Sequence, residues 1–249
     1  MEILQINNLT KSFGKMNALH KVNCRVAEKE LLAVIGPNGA GKTTFFNSIT
    51  GRFPLTEGEI LFKGERISGL PTHKIVEKGI SRSFQVVNLY PDLTVFSNVR
   101  IGVLAHQKKA MRFFRDVDQM SEVSDEVHRI LDLVHLTDKA KIVASTLSHG
   151  DQKCLEMGMA LASHPELLLL DEPTAGMSPE ETRYTIELIQ DVWKRTGNTI
   201  IFTEHDLEMV FAISTRILVL QMGTVIAEGS VEEVRKNPRV QEAYLGEQA

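Results

Sequence analysis

An apolar run, Leu31 to Ile35, stops at Gly36-Pro37-Asn38-Gly39-Ala40-Gly41-Lys42-Thr43-Thr44, and no other feature of this 249-residue chain restricts its fold as strongly. A continuous apolar run closed by glycine suits a strand buried on both faces, as in a parallel sheet covered by helices. The loop fits the phosphate-loop pattern G-x-x-x-x-G-K-[ST] in the strand–loop–helix setting that supports the motif. Bare glycines let successive backbone N–H groups converge on one anion. The helix that follows, from Gly41 to Thr50, aims its positive end at the same point. Lys42 adds a full charge for β- and γ-phosphates, and the Thr43 hydroxyl is a hard oxygen donor suited to Mg2+.

Such a loop needs an acid at the end of another buried strand. Leu167-Leu168-Leu169-Leu170 runs into Asp171 and Glu172. Asp171 can hold Mg2+ through water, as in other phosphate-loop enzymes, and Glu172 can polarise a water for attack on the γ-phosphate. A third apolar run, Thr199 to Thr203, ends at Glu204 and His205. The opening of the chain is different. Residues 2–13 alternate apolar and polar as a strand does, residues 18–27 alternate partly in phase, and residues 58–64 form a short glycine-bounded strand. Val123, Val127, Ile130, Leu131 and Val134 recur at helical spacing, and residues 152–164 are helical in composition. Ser178 with Pro179 and Glu181, and Ser230 with Glu233, are capping-box helix starts. A hairpin is expected at Met222-Gly223. Strands alternating with helices predict an α/β fold with a parallel sheet.

Apolar residues make up 43%, enough for a sizeable core, while a net charge of −4 and a pI near 6.1 argue against a basic nucleic-acid surface. Two cysteines, Cys24 and Cys154, lie far apart and point to a reducing compartment. No apolar run reaches the ~18 residues of a membrane span, and the N-terminus has no signal pattern. A cytoplasmic chain is expected, which reaches a membrane only by docking on another protein. The histidines other than His205 show no metal-ligand spacing.

Between the phosphate loop and Asp171 stands Leu147-Ser148-His149-Gly150-Asp151-Gln152, opening a helix. With Ser81-Arg82-Ser83-Phe84-Gln85 before it and Thr203-Glu204-His205 after, the order resembles the nucleotide-binding ATPase of ABC transporters over essentially the whole chain. The resemblance implies a P-loop NTPase core (1–91 and 165–249) with an antiparallel β layer, and an inserted all-helical subdomain (92–164) that carries the signature motif. It implies ATP and Mg2+ as cofactors. Gly36, Asn38 and Gly39 to Thr44 would bind ATP, and Phe13 would stack on adenine. Thr43, Gln85 and Asp171 would serve the metal. Glu172, His205 and Lys42 would be catalytic. Ser148 and Gly150 would contact the γ-phosphate held by a second ATPase subunit.

The chain departs from the family pattern in places. His149 and Asp151 stand where glycine and glutamine are usual, and His149 reads as a solvated loop residue. Ala175-Gly176-Met177-Ser178 replaces the usual Ser-Ala-Leu-Asp, so Ser178 stands at the position of a coupling aspartate and reads as a helix cap. Residues 147–152 and 170–182, with the ending Ala243-Tyr244-Leu245-Gly246-Glu247, are similar to the ATPases of branched-chain amino-acid importers and their amide and urea relatives. Expected partners are a second ATPase subunit, two membrane-spanning permeases and, indirectly, a solute-binding protein, with no nucleic acid. A small-molecule kinase would lack the signature. A DNA-repair or translation ATPase of this type would bring a coiled coil or a second cassette. An exporter ATPase for lipid or polysaccharide shares every catalytic motif and is the alternative.

Overall fold

The computed structural model describes residues 1–83, 89–106 and 119–245. Among these, β1 (Glu2–Phe13), β2 (Met16–Ala27), β4 (Glu57–Phe62) and β5 (Glu65–Arg66) form an antiparallel sheet in the order β2-β1-β4-β5. A six-stranded sheet has the order β10-β9-β3-β8-β7-β6, built from β3 (Leu31–Ile35), β6 (Ile80–Ser83), β7 (Leu167–Asp171), β8 (Thr199–Thr203), β9 (Arg216–Gln221) and β10 (Thr224–Gly229). Its pairs are parallel except β10 with β9, which is the expected hairpin at Met222-Gly223.

The apolar strands are buried on both faces, as their sequences predict. Strand side chains alternate between faces. Leu31, Ala33 and Ile35 therefore join the core under the helices, while Leu32 and Val34 join the core shared with the antiparallel sheet. Leu168 and Leu170 of β7, and Ile200 and Phe202 of β8, follow the first pattern; Leu167, Leu169 and Ile201 follow the second. One periodicity thus builds two cores and leaves β3, β7 and β8 no wet face.

The phosphate loop leads into α1 (Lys42–Ile49). Helices α3 (Val95–His106), α4 (Gln119–Leu133) and α5 (His149–Leu161) pack together through Val99, Val127, Ile130 and Cys154. Both expected capping boxes are present, Ser178 with Glu181 at the start of α6 (Pro179–Thr196) and Ser230 with Glu233 at the start of α8 (Val231–Lys236). Three helices have no counterpart in the sequence reading: α2 (Thr72–Glu77), α7 (Leu207–Ile213) and α9 (Pro238–Leu245). The six-residue α2 buries only Ile75, too little for an apolar period to register. Cys24 and Cys154 are both buried, and burial pushes each thiol up to about 12, so both are neutral packing groups. No helix among the described residues is long and apolar enough to cross a membrane.

Candidate functional site

Parallel pairing of β3, β8 and β7 as neighbours brings their C-terminal ends to one edge of the sheet, the place where open α/β sheets bind ligands. The phosphate loop follows β3, Glu204 and His205 follow β8, and Asp171 and Glu172 close β7. The result is a cleft of about 510 Å³ whose lining includes Phe13, Asn38, Lys42, Thr43, Glu172 and His205. That volume suits a small organic ligand.

The loop is glycine-dependent at two points. Gly36 has φ 151°, and a Cβ there would lie 2.0 Å from the Leu220 carbonyl oxygen. Gly41 has φ 106°, and a Cβ would lie 2.6 Å from the Ala18 oxygen. Any side chain would push the loop off its neighbouring strands. Lys42 is 6% exposed, and its Nζ donates to the carbonyls of Gly36 at 2.5 Å and Pro37 at 3.1 Å. The ammonium is therefore held inside the curl of the loop, beside the N–H groups at the start of α1.

Phe13 is 43% exposed at the rim of the same cleft. Its ring meets Phe53 edge-on, with centroids 5.3 Å apart, and the Lys11 ammonium lies 4.8 Å from its centroid. These contacts fix an aromatic surface that the core does not consume.

The acidic side of the cleft is tied together by residues that the sequence reading left without a role. Asp171 is 3% exposed; its Oδ1 accepts from the Thr203 hydroxyl at 2.8 Å and its Oδ2 pairs with the Arg82 guanidinium. Glu172 has a left-handed backbone, φ 47°, and its N–H donates to the Thr203 carbonyl and hydroxyl, each at 3.1 Å. A non-glycine residue there costs about 1–3 kcal/mol and is retained where the surroundings enforce it. The turn aims Glu172 Oε1 at His205 Nε2, 2.7 Å away. This contact needs the proton on Nε2, because an ionised carboxylate only accepts. Glu204, 3% exposed, accepts from the Thr174 N–H at 2.9 Å, the Thr174 hydroxyl at 2.6 Å and the His205 N–H at 3.0 Å. It locks the β7 turn to the β8 turn, so the relative placement of Glu172 and His205 does not depend on their own side chains. Arg82, Thr203 and Glu204 do carry one sequence signal: each is polar at or beside the end of a buried strand.

Of the residues expected to serve Mg2+, Thr43 brings a hard hydroxyl oxygen to the cleft. Asp171 is not among the described lining; it is buried with its two carboxylate oxygens engaged by Thr203 and Arg82, a hard oxygen group that could meet the ion through water. Among the described residues no group of three or more His, Cys, Asp or Glu could cage a metal. Gln85, the third expected metal residue, lies outside the described residues.

The described lining of the cleft includes neither Ser148 nor Gly150. Ser148 caps α5, its Oγ accepting from the Asp151 N–H at 3.2 Å, and Gly150 is buried against Glu181. Asp151 pairs with Lys139 at 2.5 Å. His149 is exposed, as expected, but it opens α5 and does not lie in a loop, and its Nε2 lies 3.3 Å from the Ala175 carbonyl, a contact between the start of α5 and the loop before α6. Ser178 caps α6, as expected.

Residues 19–175 match the family model for ABC transporters, and residues 224–249 match that for the branched-chain amino acid ATP-binding cassette transporter. The chain is 38% identical, over 98% of its own length and 98% of the relative's, to the high-affinity branched-chain amino acid transport ATP-binding protein LivG of Escherichia coli. A solved ATP-binding cassette of an ABC transporter in its ADP conformation superposes with a TM-score of 0.87 at 30% identity, covering 99% of both chains. A dimeric bacterial ABC transporter cassette superposes with a TM-score of 0.77 at 26% identity, covering 92% of this chain and 99% of that one.

Proposed function

This chain belongs to the ABC transporter family as an ATP-binding, ATP-hydrolysing subunit, and from that premise we propose that the importer it drives takes up branched-chain amino acids or a related amide or urea. The C-terminal stretch carries the substrate reading, because residues 224–249 match the family model of the branched-chain amino acid ATP-binding cassette transporter. Export of lipid or polysaccharide has no such support. Cells lacking this chain should lose uptake of labelled leucine and valine, and a copy carrying Glu172→Gln should not restore it. Unchanged uptake of these solutes together with lost uptake of urea or an amide would move the substrate within the same reading. Unchanged uptake of all of them would overturn import.

In the proposed mechanism the N–H groups of residues 36–44 and the Lys42 ammonium bind the β- and γ-phosphates, and Phe13 stacks on the adenine. Lys42 exchanges its carbonyl partners for phosphate oxygens. Thr43 and Asp171, with Gln85, would hold Mg2+, which supplies charge neutralisation on the phosphates. Glu172 accepts the proton of the attacking water, and His205, held at Glu172 Oε1, orients toward the γ-phosphate.

The site needs a second ATPase subunit. Ser148 and Gly150 stand at the start of α5 and are not among the described lining of the chain's own cleft, and we assign them to the ATP of a partner in a head-to-tail dimer. The Glu172→Gln chain should elute as a dimer with ATP, and the Ser148→Arg, Glu172→Gln chain as a monomer, with ATP binding to the isolated chain almost intact. The assay is repeated with the partner ATPase supplied. A dimer from the double variant in both settings would remove the cross-subunit role.

The helical segment 92–164 is proposed to move as a subdomain with Gln85. A groove of about 470 Å³ between α3, α5 and β6, lined by Ser83, Gly102, His106, Glu156 and Met159, is proposed to receive a permease segment. That docking would place the chain on the cytoplasmic face of the membrane.

A further inference from the structure

Arg82 lies on β6, the strand that enters residues 84–88, and pairs in register with Leu169 of β7. Its side chain is 7% exposed and that of Asp171 is 2% exposed, so this is a buried ion pair between two adjacent strands. The same guanidinium donates through its other terminal nitrogen to Asn47 Oδ1 at 2.7 Å, and Asn47 belongs to α1, the helix that begins at Lys42. The guanidinium carbon is 5.5 Å from the centroid of the Phe46 ring, also on α1. Its Nε has no hydrogen-bond partner among the described residues. One planar cation therefore joins three elements: the strand before Gln85, the helix of the phosphate loop and the strand that ends in the acid. The Thr203 hydroxyl on Oδ1 and Arg82 on Oδ2 together hold the orientation of the Asp171 carboxylate.

We infer that Arg82 is a positioning residue for the metal–nucleotide complex: it fixes the Asp171 carboxylate relative to α1, the helix that follows the phosphate loop. This rests on the ATPase reading above. Arginine suits the position because its rigid fork reaches two acceptors on different elements at once. A lysine keeps the charge and loses the bridge. Groups that orient a metal-binding residue from behind typically change metal affinity or activity about 10- to 100-fold when removed.

The test uses the full chain and variants Arg82→Lys and Arg82→Met, with three readings: thermal melting without nucleotide, ATP binding by calorimetry in EDTA, and Mn2+ binding to the ATP-loaded protein by electron paramagnetic resonance. For Arg82→Lys, metal-free ATP affinity should equal that of the parent, while Mn2+ affinity of the ATP complex falls about 10-fold or more. Arg82→Met should show the same split and a lower melting temperature, since it leaves Asp171 unpaired. If it does not fold, the lysine variant decides alone. Parent-like Mn2+ affinity in Arg82→Lys overturns the inference, as does an equal fall in metal-free and metal-dependent binding, which marks a purely structural role. Absence of ATP binding by the parent chain would instead overturn the ATPase reading itself.

Discussion

Glu172→Gln should bind Mg-ATP as the parent chain does and hydrolyse it on the order of 10² times more slowly, or worse. Glutamine preserves the size of the side chain and the left-handed turn, because the backbone N–H bonds to Thr203 do not involve the carboxylate. It removes the oxygen that can take a proton from water. It also changes the contact with His205 Nε2, now 2.7 Å from a carboxylate oxygen, into a weaker neutral one. Glu204 still holds the turn that carries His205, so the loss falls on the chemical step and not on the architecture. Phosphate release at saturating Mg-ATP, beside calorimetric binding, separates the two. Near-normal turnover would remove Glu172 from the catalytic role.

Lys42→Ala should abolish measurable hydrolysis and weaken ATP binding. A hydrogen bond to a charged group contributes about 1.5–3 kcal/mol, equivalent to roughly 10- to 100-fold in affinity. The larger part of the effect belongs to turnover, where negative charge moves among the γ-phosphate oxygens and the ammonium stabilises it in place. The substitution also removes the two bonds by which Lys42 closes the loop onto Gly36 and Pro37. A melting curve without nucleotide measures that structural share separately. Unchanged nucleotide affinity by calorimetry would sink the assignment of Lys42 to the phosphates.

Both variants act on residues that were legible in the sequence, because the signals were local. A strand, a glycine turn and a helix start occupy consecutive positions, so the phosphate loop is written in one stretch. The two capping boxes are equally local, each a serine and a glutamate three residues apart. The alternation in residues 31–35, 167–171 and 199–203 was hidden in continuous apolar runs, yet those runs correctly predicted strands with no wet face. The short helices α2 and α7 were not legible, since six or seven residues with one to three buried positions leave no period to detect.

The phosphate loop, Asp171 and Glu172 at the close of one apolar run, His205 after another and the α/β class are all legible along the chain. Which polar groups hold those residues follows from the three-dimensional arrangement. Arg82 reaches Asp171 across 89 positions, Thr174 reaches Glu204 across 30, and His149 reaches Ala175 across 26. Each pairing follows from strand order or helix placement; β8 lies between β3 and β7, and β6 beyond β7, in an order unlike that of the chain. Side-chain periodicity fixes which face of an element is buried. It carries no information about which element becomes its neighbour, and a buried polar group is satisfied only by what that neighbour brings within about 3 Å.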